Sequence, residues 1–113
     1  MSVVEALLES SEQDTNLLIG NDNKGDNFDV PRDIDFLFKT NDAQKAETVC
    51  GFINDNNYAN ARVEHVGNDY QILAVVAMQS NQHIICSVSG LMTCIGKLFD
   101  VEYDGWGCVL QNT

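Results

Sequence analysis

The chain has 113 residues, with 6 Lys and Arg against 17 Asp and Glu, which gives a formal charge of −11 at neutral pH. That length allows one domain, and 44% hydrophobic against 20% charged residues is the composition of a globular chain able to fold without metal or disulfide staples. So acidic a chain is ill suited to grip nucleic acid directly, because that takes Lys and Arg on phosphates, and it points instead to a basic partner.

Residues 2–12 predict a short amphipathic helix, in which Ser2 and Glu5 make a capping box and Val3, Val4, Leu7 and Leu8 form an apolar stripe. This helix and its extension run to residue 20. A polar loop is expected over 21–31, where Asn21, Asp22, Asn23, Lys24, Gly25, Asp26 and Asn27 crowd together. The domain body then spans 32–111, within a single domain of 1–113. Ile34, Phe36 and Phe38 alternate with Asp33, Asp35 and Lys39 as a strand with one buried face does, and Pro31 stands just before it. Asn41 with Gln44 offers the next capping box, followed by Ala43, Ala46, Val49, Cys50 and Ile53 at helical spacing. Two strand-like stretches, 58–66 and 69–78, flank Gly67-Asn68, a two-residue hairpin loop. Ile84, Ile85, Val88, Leu91, Met92, Ile95, Leu98 and Phe99 then define the longest and most apolar helix. The last strand is expected from Val101 to about Leu110, with Gly105 and Gly107 marking a bulge or a close backbone approach.

After the first helix the order is β-α-β-β-α-β. This is the ferredoxin-like α+β two-layer sandwich, with two helices over one face of a four-stranded antiparallel sheet of strand order 4-1-3-2. The other face is left open, with Leu37, Leu73, Val75 and Ala77 pointing toward it, to be covered by the N-terminal helix, a second copy or a partner. No apolar run reaches the roughly 18 residues of a membrane span, and the first 23 residues hold no Lys or Arg for the basic start of a signal peptide. A soluble, cytoplasmic protein is expected.

No familiar catalytic or cofactor pattern emerges. Cys50, Cys86, Cys94 and Cys108 form no C-x-x-C pair and lie in apolar stretches, as reduced structural thiols do, and His65 and His83 stand at no ligand-like spacing to them. Asn21 to Asp26 resembles half of an EF-hand, but the register fails and no Glu closes a twelve-residue loop. Asp33 and Asp35 share a strand face as an acid–base pair would, yet beside Ile34, Phe36 and Phe38 they point to solvent or pair with Arg32 and Lys39. No nucleophilic triad and no phosphate loop is present, and neither metal nor cofactor is expected.

The most distinctive string is Val101-Glu102-Tyr103-Asp104-Gly105-Trp106-Gly107, which sets the only Trp between two glycines beside acidic residues. Two readings stay open together: Trp106 closes the core at a bulged strand end, or it presents a rigid contact edge flanked by Asp100, Glu102 and Asp104 for Arg or Lys of a partner. With Phe99 and Asp100 this string resembles the C-terminal signature of the regulator of ribonuclease E activity B (RraB) family. A second string, from Asn21-Asp22 through Gly25-Asp26 to Pro31-Arg32-Asp33-Ile34-Asp35-Phe36, is similar to the N-D-x-x-G-D and P-R-x-I-D-F pattern of short members. The elements between the two strings follow the expected order, so the resemblance covers roughly residues 14 to 111.

The resemblance implies a ferredoxin-like domain that binds ribonuclease E in its scaffold half and lowers its action on transcripts, without catalysis of its own. Applied to this chain, it assigns partner contact to Asp100, Glu102, Tyr103, Asp104, Gly105, Trp106 and Gly107, followed by Arg32, Asp33 and Asp35. The long acidic tail of the best-known members is missing from this sequence, which stops six residues after Gly107. A small-molecule sensor or enzyme working on the open sheet face is the runner-up, and a dimer packed face to face is a third reading.

Overall fold

The structure is a computed structural model and describes residues 2–111. Its elements are α1 (Val3–Asn23), β1 (Arg32–Thr40), α2 (Ala43–Asp55), β2 (Asn60–Val66), β3 (Asp69–Met78), α3 (Gln82–Phe99) and β4 (Glu102–Cys108). The strands form one antiparallel sheet in the order β2-β3-β1-β4, the expected 4-1-3-2 read from the opposite edge.

Parity along β1 decides which side of the sheet becomes interior. Arg32, Ile34, Phe36 and Phe38 are buried, while Asp33 and Asp35 are exposed. Ile72 and Ala74 of β3 share the buried side and meet Val49 and Ile53 of α2 with Ile85, Met92 and Ile95 of α3 in one core. Fully burying each such side chain contributes about 1.5–3 kcal/mol. The β2–β3 connection is the predicted two-residue hairpin, in which only Gly67 takes a positive φ.

The first helix is longer than its sequence predicts. The Ser2 and Glu5 capping box is present, but the helix runs 21 residues instead of ending near 12, and the polar loop shrinks to 24–31. Its buried stripe is Ala6, Ser10, Asp14, Leu18 and Asn21, at four-residue and then three-residue spacing, whereas Val3, Val4 and Leu8 of the predicted apolar stripe are exposed. A helix whose inner stripe is half polar gives little periodic signal. It packs on α3 and reaches β4, so it extends the helical layer and does not cover the open sheet face. A smaller correction concerns α2: its cap is Asp42, whose carboxylate accepts from the Gln44 and Lys45 amides, not Asn41.

β4 is bulged. Phe36 opposes Trp106 and Phe38 opposes Tyr103, so one residue of β1 faces two of β4, with Gly105 at φ +92°. That conformation is open to glycine and strained for other residues. Replacing Gly105 by Ala is expected to cost about 1–2 kcal/mol through backbone strain alone, since a Cβ there meets nothing within 4 Å, while Gly107→Ala stays within about 0.5 kcal/mol. Urea denaturation of the two variants checks the difference.

Candidate functional site

The signature residues divide between two sides of the sheet. Trp106 lies on the inner side, 8% exposed, where its indole Nε1–H donates to Asp14 Oδ1 at 3.0 Å. Asp14 is only 4% exposed, and Ser10 Oγ donates to its other oxygen at 3.5 Å. Tyr103 Oη and Ser89 Oγ are 2.8 Å apart, and Ser89 Oγ is 3.4 Å from Ser10 Oγ. An ionised carboxylate accepts only, so Ser10 donates to Asp14, and Ser89 bonds the same carboxylate. Thr93 Oγ1 also reaches Ser10 Oγ at 3.0 Å and the Ser89 carbonyl at 2.9 Å.

Burial raises the Asp14 carboxyl above its ordinary value, and the bonds from Ser89, Trp106 and Ser10 oppose that rise. The Tyr103 hydroxyl is likewise pushed well up by burial and stays protonated. Beside this network opens a cleft of about 330 Å³ between α1, the end of α3 and the start of β4. Glu9, Asp14, Thr93, Lys97, Glu102 and Tyr103 are among its walls. A second cavity also lies against α1, near Leu18 and Phe28, so both stand apart from the open sheet face.

A buried ion pair ties the loop to the sheet. Arg32 Nη1 donates to Asp26 Oδ1 at 2.6 Å, with both side chains almost wholly enclosed. Its remaining N–H groups donate to the Val30 and Asn27 carbonyls, and the Gln111 amide donates to the same Asp26 oxygen at 2.8 Å. This clamp joins the chain before β1 to the chain after β4. Cys50, Cys86 and Cys108 are half-buried free thiols pushed up by burial, whereas Cys94 is exposed, contrary to expectation. Among the described residues no three His, Cys, Asp or Glu side chains converge as metal ligands do.

Trp106 and Arg32 were assigned to partner contact, and for both the structure corrects the assignment. Each lies on the inward parity of its strand and makes its polar bonds inside the molecule. Tyr103 is half-buried on the same side, and Gly105 shapes the bulge. Asp33, Asp35, Asp100, Glu102, Asp104 and Gly107 are exposed. On the open face Leu37 pairs with Leu73, Asp35 with Val75 and Asp33 with Ala77, so the expected apolar strip is there, with carboxylates along it. Glu102 stands opposite Lys39, and Asp35 opposite the bare backbone of Gly107.

The cations nearby pair with some of those carboxylates. Lys39 Nζ bonds Asp104 at 3.1 Å and Arg62 bonds Glu64 at 3.0 Å. Lys39 is held above its usual range by the bond to Asp104 and by that residue's charge, with smaller contributions from Glu102 and Asp69. Asp100, at the left-handed C-cap of α3, is bonded by Lys45 at 3.3 Å. Asp14 and Asp26 were missed as site-forming residues. Asp14 gives no signal, being one acid on a helix of mixed polarity. Arg32 gives one, since counting back by two from Phe38, Phe36 and Ile34 sets it on the buried face.

A small α+β domain, with an acidic open sheet face and a polar cleft under its first helix, is the class of protein that the fold and site define. The chain belongs to the family Regulator of ribonuclease activity B, whose model matches residues 11–108. No curated protein sequence matches it. No helix among the described residues is long and apolar enough to cross a membrane.

Two outcomes follow from the buried network. Trp106→Phe removes the donor to Asp14 and part of the ring, and is expected to cost about 2–4 kcal/mol in urea unfolding. Combining it with Asp14→Leu should cost less than the sum of the single changes, because the stranded carboxylate is then gone. The pH dependence follows from the raised Asp14 carboxyl. The folded state holds that proton more tightly than the unfolded chain, so acidification from neutral pH stabilises the wild type relative to Asp14→Asn, fully so below an unfolded value of about 3.9. Paired melting curves at about pH 7 and below about 3.9 check this.

Proposed function

We propose that the protein is a non-catalytic inhibitor that binds ribonuclease E, or a similar basic RNA-handling protein of the cytoplasm, and lowers its cleavage of RNA. The observation that carries the reading is the open sheet face. There the half-buried Leu37, Leu73 and Val75 are bordered by Asp33, Asp35, Glu102 and Asp104, in a chain of net charge −11. Membership of a family of ribonuclease regulators supports a partner from RNA processing.

The scaffold segments of such nucleases hold RNA through Arg-rich, largely disordered chain, and an acidic face with an apolar centre competes for that chain. Occupying it denies the nuclease its grip on RNA, and no bond needs to be made or broken in the inhibitor. Charges at a contact rim act mainly on encounter rate and are screened over about 8 Å at physiological ionic strength, while the apolar strip slows dissociation.

The test is capture of an Arg-rich scaffold segment of ribonuclease E by the purified protein. Replacing Asp33, Asp35, Glu102 and Asp104 together by their amides is expected to weaken binding about tenfold or more. The same change at Glu47 and Asp55, exposed on α2, should leave it unchanged. Binding of the wild type is also expected to weaken as salt rises from about 0.05 M to 0.15 M. Equal retention of both variants would overturn the reading.

A further inference from the structure

The sheet has two edges, β2 and β4, and they are built differently. The two-residue loop after Val66 makes Val66 and Asp69 a hydrogen-bonded pair, and alternation from there settles where each backbone group points. On β2 the N–H and C=O of Ala61, Val63 and His65 face away from the sheet. Those of Ala61 are already stopped: the N–H donates to Asn54 Oδ1 at 2.8 Å, and Asn54 Nδ2 donates to the carbonyl at 2.9 Å. Arg62 also stands on this strand, paired with Glu64. On β4 the same alternation, carried through β3 and β1, points the N–H and C=O of Trp106 and Cys108 outward, where nothing among the described residues bonds them. β4 holds Glu102 and Asp104 and no cation.

Gly107 lies between those two residues, and the fold gives no reason for a glycine there. Its φ is outside the left-handed region, and a Cβ would meet nothing within 4 Å. A glycine inside a strand weakens it and often marks a place where a ligand or another backbone comes close. The missing side chain leaves a gap in the open-face row that runs from Val75 through Asp35 to Gly107. Asp35 is exposed, and among the described residues neither it nor Asp33 takes part in an ion pair.

We propose that β4 accepts an added antiparallel strand: an extended segment of the basic polypeptide that the protein binds pairs with Trp106 and Cys108 and sends one Arg or Lys side chain across Gly107 to Asp35. The inference deepens the function proposed above and rests on it for the identity of the partner. The residue opposite Gly107 in the added strand projects on the open face, with its Cα roughly 10 Å from that of Asp35, two strand spacings away. The long stem of Arg or Lys covers that distance and a short side chain does not. A side chain at position 107 would stand in its path. The main chain supplies affinity in this mode, and the alternate side chains select a basic segment. A second copy is the poorer occupant, because it would bring the β4 carboxylates of two chains of net charge −11 together.

The experiment uses the full chain and an eight-residue probe of alternating Arg and Val, acetylated and amidated at its ends, followed by NMR titration and amide hydrogen exchange. Slower exchange at the Trp106 and Cys108 amides when the probe is added, with Val63 and His65 unchanged, is expected. With the arginines on the open face, the valine amides face β4. A probe N-methylated at its valines, and one with citrulline in place of Arg, should therefore each bind about tenfold more weakly or worse. Gly107→Thr should keep the folded spectrum and lose about tenfold or more in affinity, and Asp35→Asn should lose a similar amount. The two changes together should cost little more than either alone, because they remove the same contact.

Protection at Val63 and His65 in place of Trp106 and Cys108, equal binding of the valine-methylated probe, or undiminished affinity in folded Gly107→Thr overturns the proposal. Concentration-dependent protection of Trp106 and Cys108 without probe, together with a doubled mass in solution, overturns it in favour of a second copy. The two readings also fail separately. Capture of the ribonuclease E segment that Gly107→Thr leaves intact and the four amide replacements weaken sinks strand addition alone. Probe binding at β4 with no capture of the segment sinks the partner alone.

Discussion

One hydrogen bond organises this molecule, that from the Trp106 indole to Asp14. β4 is an edge strand, and a Trp on its inner side has too little helix above it if only α2 and α3 cover the sheet. α1 supplies the missing cover. It does so with a seam that is polar at Ser10 and Asp14, against Ser89 and Thr93 of α3, so the helix is held in register by directional bonds more than by apolar area. A buried carboxylate that accepts from an indole and a hydroxyl is costly to strand, and this specifies one placement of α1 among those an apolar stripe would tolerate.

Much else follows from that placement. With α1 laid over α3 and β4, the outer sheet face keeps its Leu37, Leu73 and Val75 strip uncovered by any described element. The second buried pair, Asp26 with Arg32, performs a related task at the other end of β1: it ties the segment between α1 and β1 to the chain that leaves β4. Polar groups thus fix the two added segments, while the central βαββαβ body is held by an ordinary apolar core. Interior bonds of this kind cost desolvation, and removing one partner of such a pair is strongly destabilising because the other is left buried and uncompensated.

The body was legible in the sequence because its signals are periodic. Ile34, Phe36 and Phe38 repeat by two, the α3 residues repeat by three and four, and Gly67-Asn68 sits between two strands. Strand order then follows from connection rules. What escaped was polar burial. Ser10 and Asp14 carry no periodic signal, and only the distant Ser89, Thr93 and Trp106 make them interior. Arg32 read as a contact residue because the family resemblance was followed before strand parity. Trp106 held two readings, and parity on β4 is disturbed by the bulge at Gly105, which is why counting along that strand does not decide between them.

The family signature takes on a physical meaning from this arrangement. In Tyr103-Asp104-Gly105-Trp106-Gly107 the two aromatics face inward to the Asp14 network, Asp104 reaches Lys39 on the open face, and Gly105 supplies the extra residue that lets both aromatics face the same side. Trp106 stands three positions after Tyr103, an odd spacing that a regular strand would send to opposite faces. The bulge restores them to one face and leaves Gly107 bare beside Asp35. A short string therefore builds two surfaces at once, the wall of the cleft and the acidic rim of the sheet.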